Sequence, residues 1–142
     1  MSGAEGSGTD ADPETAAERA ERVRRSYRCQ PGGVPPPIED RIAVAQRTGR
    51  LEAIEAIEAL RLVLLTENPL GSKSRQLVHF GQLVVLAQGD LARRHAAAAR
   101  RAGATPAELV GVAETALITA GVPAYNLGMS VLAELLATDE RE

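Results

Sequence analysis

Two histidines and a glutamate stand among apolar helical positions in the second half of the chain: His79, His95 and Glu114. An imidazole titrates near neutral pH, and a carboxylate among apolar side chains loses solvation and gains proton affinity. Three such groups brought together make a candidate acid/base site. His79 lies one turn after Gln76 and one turn before Leu83, so a polar pair shares a face that turns apolar further along. A histidine so placed serves either as a hydrogen-bonded core or interface residue or as a proton carrier. His95 has Ala92, Ala96 and Ala99 as helical neighbours, with Arg93, Arg94, Arg100 and Arg101 marking the solvated side. Small side chains around one imidazole leave room for a ligand and equally permit close helix packing. Glu114 shares a face with Val110, Leu117 and Ile118. It is either a buried proton-transfer group or a surface carboxylate at the edge of that stripe, paired with an arginine.

Other chemistries have less support. Two imidazoles and a carboxylate are a possible ligand set for a divalent metal, but no two of them sit at the i, i+4 spacing of a helical ligand motif, and no metal is expected. Nucleophilic catalysis lacks its groups: Cys29 is the only cysteine and falls in a proline-rich stretch, and no serine occupies a G-x-S-x-G turn. No glycine run has the spacing of a P-loop or of a dinucleotide fingerprint, so no cofactor is expected.

These residues must be positioned by helices. Ile38, Ile42 and Ala45 repeat at helical spacing up to Thr48-Gly49. Ile54, Ile57, Leu60 and Leu64 mark a second helix, closed by Asn68-Pro69 because a residue before proline avoids the helical region. Ser72 or Ser74 is expected to cap a third helix reaching about Ala87, and Asp90 a fourth that ends at Gly103. Thr105 gives the clearest start: its hydroxyl can accept from the Glu108 amide while the Glu108 carboxylate reaches back, with Pro106 at the first helical position. Gly121 ends that helix and Pro123 begins the last, which carries Tyr125, Met129, Leu132 and Leu136.

Upstream, residues 1–36 read as a flexible tail with a short helix over residues 13–28 and a Pro-rich linker, and residues 37–142 as the helical domain. MSGAEGSGTD has too little apolar content to repay the entropy of ordering, and its removal should leave folding intact. In 13–28 Val23 and Tyr27 are the only sizeable apolar groups, so that helix needs a surface to dock on.

The 142 residues favour a single domain, and their 44% apolar content suffices for an ordinary core. Aromatics make up only 2%, so the core must rest on Leu, Val, Ile and Ala, the material of close-packed helices. The expected class is all-α. With a net charge of -3 and no basic run interleaved with aromatics, nucleic acid is excluded as a partner. Apolar runs break well before 18 residues and no signal peptide is evident, so the expectation is a cytoplasmic protein with no membrane partner.

Taken in order, Arg75 and Leu77, His95, Ala97 to Ala99, Gly103 with Thr105 and Glu108, and Ala120-Gly121-Val122-Pro123-Ala124-Tyr125-Asn126 resemble the carboxymuconolactone decarboxylase and alkylhydroperoxidase D-like family over roughly residues 50–137. The resemblance implies an alkylhydroperoxidase D-like helical bundle built around an antiparallel hairpin, in trimers or hexamers. The peroxidase branch carries C-x-x-C-x-x-x-H with an upstream glutamate, where this chain has Gln88, Leu91, His95 and Gln76. Without a thiolate there, disulfide-based peroxide reduction has no support, which leaves peroxidase activity through Cys29 a remote alternative. The resemblance lies with the cysteine-less branch, although AQGDLARRH lacks the glutamate common in that branch's G-R-x-x-E-x-x-x-H, and Glu114 falls where relatives carry an aliphatic residue. It implies decarboxylation of a small carboxylated or lactone-like substrate without a cofactor. His95 would be the main proton donor, aided by His79 and Glu114, and Gln76, Tyr125 and Asn126 would bind the substrate. A non-catalytic oligomeric scaffold is the alternative, and the two are separated by whether His79, His95 and Glu114 converge.

Overall fold

The computed structural model describes residues 13–28 and 33–139. Among them are seven helices and no strand: α1 (Ala16–Arg28), α2 (Pro36–Thr48), α3 (Leu51–Thr66), α4 (Ser72–Val85), α5 (Gly89–Arg101), α6 (Pro106–Ala120) and α7 (Val122–Asp139). The fold is all-α, as composition and periodicity predict. The tail over residues 1–12 and Cys29 lie outside the described residues. The chain divides into two compact units, Met1–Asn68 and Pro69–Glu142. That division does not coincide with the 36/37 boundary expected from composition, because α1 packs with α2 and α3.

In the first unit, α1 buries Ala20, Val23 and Tyr27 in one cluster with Ile38, Ile42, Leu51 and Ile54. Its start carries a reciprocal cap, the Thr15 amide donating to Glu18 Oε2 at 2.7 Å and the Glu18 amide to Thr15 Oγ1 at 3.2 Å. Around Tyr27 the hydroxyl bonds Glu58, Arg61 Nε donates to the same carboxylate at 2.9 Å, and the Arg61 guanidinium lies 4.2 Å from the ring centroid. Burial, reinforced by the Glu58 carboxylate, pushes the phenol up to about 12. On α3 only Leu51 and Ile54 are buried. Ile57, Leu60, Leu62, Val63 and Leu64 stay about half exposed or more.

The second unit packs α4 with α5 and α6 with α7, and joins the two hairpins through α4 with α6 and α5 with α7. Phe80, Val84, Leu109 and Leu132 fill its core. The turn from α4 to α5 is closed by Gln88 N–H donating to Leu83 O at 2.8 Å, around Ala87 at φ 56. Alanine there holds the left-handed position that usually falls to glycine. Gly103, at φ 95 after α5, is followed by the matching bond from Ala104 N–H to Ala99 O at 2.9 Å. Thr105 forms the expected capping box with Glu108, of a kind worth about 1 kcal/mol. The other Glu108 oxygen accepts from Lys73 Nζ at 2.9 Å. Two expected caps are corrected. Ser72 and Ser74 lie inside α4, whose N-cap is Gly71, and Asp90 lies inside the first turn of α5, whose N-cap is Gln88; neither N-cap makes a side-chain bond. Asp90 still suits the positive end of its helix dipole.

Candidate functional site

The site is built across the α4–α5 hairpin. Gln76 and His79, one turn apart on α4, face His95 from α5. His95 Nδ1 lies 2.6 Å from Gln76 Oε1 and 3.3 Å from His79 Nδ1. The two imidazole rings meet edge to face, with centroids 4.5 Å apart and planes at 71°. This proximity follows from the alanine stripe: Ala92, Ala96 and Ala99 are fully buried, so beside His95 α5 presents methyl groups and its backbone can come close. Of the two readings of that stripe, the structure shows close packing, and that packing brings the imidazoles together.

The surroundings of His95 set its protonation. Burial lowers the proton affinity of His95, the neighbouring His79 lowers it further and Arg94 adds to the effect, so that its pKa falls to about 4. Near neutral pH, His95 is uncharged. It carries a proton there only if something raises its proton affinity, because burial makes it a weaker base than an ordinary imidazole.

The other sequence-predicted residues come from α6 and α7, outside the α4–α5 hairpin. Glu114 is exposed on α6. Of the stripe thought to bury it, Val110 is half-buried but Leu117 and Ile118 are exposed, Ile118 to 84%, while the face turned to the core carries Leu109, Ala113 and Ala116. Tyr125 is half-buried and Asn126 exposed, both near the start of α7. The bond from His95 to Gln76 was not foreseen; its signal is Gln and His one turn apart on the helix before the hairpin. Among the described residues no group of three His, Cys, Asp or Glu side chains is placed to hold a metal.

A groove of about 780 Å³ opens between α4 and α6, past Val78, Gly81, Val85, Val112 and Thr115. None of Gln76, His79 and His95 lines it, because Gln76 and His79 occupy the opposite face of α4 and His95 comes from α5. Its one ionisable group is Glu108, already engaged by Lys73 and Thr105. The candidate acid/base groups and the groove thus lie on different faces of α4.

A family model described as the carboxymuconolactone decarboxylase family matches residues 52–134, more than half of the chain. The chain belongs to that family. Comparison with curated proteins and with solved structures returned no match for either. In this carboxymuconolactone decarboxylase family member, the matched span takes in Gln76, His79 and His95 and the whole hairpin that joins them. The peroxidase cysteine positions hold Gln88, at the α5 cap, and Leu91, which is exposed. No helix among the described residues is long and apolar enough to cross a membrane.

Proposed function

We propose that this protein is a cofactor-free acid/base enzyme acting on a small carboxylated or lactone-like organic molecule, a decarboxylase of the carboxymuconolactone type. One observation carries the reading: two imidazoles, one of them held uncharged, in contact beside a glutamine amide within the family's own span. In the reaction the bond from carbon to carboxylate breaks, its electron pair moves into a conjugated carbonyl, and a proton is delivered to carbon. A carboxylate arriving beside the pair raises imidazole proton affinity by opposite charge, so the site takes up on binding the proton it later delivers. The Gln76 amide can also donate to the developing enolate. Glu114 keeps a place in this scheme only if a neighbouring subunit covers it.

The experiment is a screen of small lactones and carboxylic acids for thermal stabilisation, followed by an assay of carbon dioxide release on the hits. His95→Gln should lower turnover by about 10²- to 10⁴-fold, the usual worth of general acid/base catalysis, with the fold retained. Wild-type turnover by that variant would sink the assignment. The second reading, a non-catalytic oligomeric scaffold, draws on the exposed apolar side chains of α3 and on the exposure of Glu114 on α6. It predicts that no such compound is consumed.

A further inference from the structure

The contacts of His95 constrain where protons sit. A carbonyl oxygen 2.6 Å from a ring nitrogen makes a hydrogen bond only if that nitrogen carries hydrogen; otherwise two lone pairs face each other. The distance also suits an oxygen partner better than an amide nitrogen, whose bonds to nitrogen run longer. His79 Nδ1 stands 3.3 Å from the same atom. Were both Nδ1 atoms protonated, the two hydrogens would oppose one another. One hydrogen on His95 Nδ1, shared between Gln76 Oε1 and the His79 Nδ1 lone pair, satisfies all three heteroatoms.

We infer that Gln76 is a positioning residue that locks His95 in its Nδ1–H tautomer and His79 in its Nε2–H tautomer, leaving His95 Nε2 as the atom that exchanges protons with substrate. The catalytic part of this inference rests on the acid/base reading; the tautomers do not. A proton arriving at His95 Nε2 makes an imidazolium whose Nδ1–H bonds to Gln76 and His79 strengthen without rearrangement, because both acceptors already face it. Departure of that proton to a substrate carbanion restores the starting tautomer. The amide is a neutral acceptor, so it orients the ring without holding the second proton, as a carboxylate at the same place would.

The chain contains only two histidines, so untagged protein labelled with ¹⁵N-histidine gives two imidazole spin systems, assigned with His79→Gln and His95→Gln. At pH 7.5 in the wild type, two-bond ¹H–¹⁵N correlation should show protonated Nδ1 and unprotonated Nε2 for His95, and the converse for His79. Gln76→Glu should keep His95 Nδ1 protonated and move upward the pH at which Nε2 gains hydrogen. Gln76→Leu should release the lock and populate the Nε2–H form of His95. Finding wild-type His95 with hydrogen on Nε2, or a Gln76→Leu protein with unchanged tautomers, overturns the inference without touching the acid/base reading. The expected tautomers in a protein that turns over no lactone or carboxylic acid would uphold the lock and defeat the proposed function instead.

Discussion

Holding His95 uncharged has a cost that stability measurements can read. In the unfolded chain its imidazole binds a proton near pH 6.5, while in the folded protein it does so near 4. Between those values the unfolded state takes up a proton that the folded state refuses. The contribution is therefore neutral above pH 6.5, and stability falls steadily as pH drops toward 4. At 1.36 kcal/mol for each unit of difference, the loss between pH 7.5 and 4.5 is about 2.5 kcal/mol for full expression of the shift. The ring is half-buried, and solvent screening brings the expected loss to about 1–2 kcal/mol. Reversible urea denaturation of the wild type and of His95→Gln at the two pH values measures it, because the difference of differences cancels the carboxylates common to both proteins. Glu18, Glu55 and Glu108, whose pKa values are lowered by their partners, lose their contributions mainly below the ordinary carboxylate range, outside this window. If the two proteins lose the same stability between pH 7.5 and 4.5, His95 is not held uncharged by its surroundings.

Two further outcomes follow from packing. At Gly128 an added Cβ would stand 3.0 Å from Ala113 Cβ in the buried contact of α7 with α6, whereas at Gly111 on α6 it would meet nothing. Gly128→Ala should therefore lose about 1–2 kcal/mol through overpacking and Gly111→Ala gain about 0.5–1 kcal/mol from helix propensity, and equal melting temperatures would contradict the packing described. The exposed apolar side chains of α3, with Ile118 and Val122, call for cover, and light scattering at micromolar concentration should return a trimer or hexamer; a monomer mass refutes this.

What the sequence discloses here depends on whether a signal is local. Thr105-Pro106-Ala107-Glu108 dictates its own geometry and is found as read, and Gly103 and Gly121 end their helices at positive φ. Thr15 and Glu18 carry the same capping pattern, equally local and equally legible. Ser72 and Asp90 misled because capping residues are also acceptable inside a first turn. The histidine pair was legible as two candidates, yet their contact depends on the register of the α4–α5 hairpin, which Ala87 and the alanine stripe set together. Glu114 was misplaced for the opposite reason. Large apolar neighbours suggested burial, but α6 turns Ala113 and Ala116 inward because small residues fit a close helix contact.

Glu108 gives its two oxygens to two different helices, one to the Lys73 ammonium in the first turn of α4 and one to the Thr105 amide at the start of α6. Lys73 is the leading cause that holds its carboxyl below the usual range, with the Thr105 amide next, so both bonds persist above that range and vanish together as acid protonates the group. The beginnings of α4 and α6, far apart along the chain, are thus a single fraying unit. Amide protection factors in the two first turns should fall in step on acidification or on Glu108→Ala, even though no backbone hydrogen bond links them.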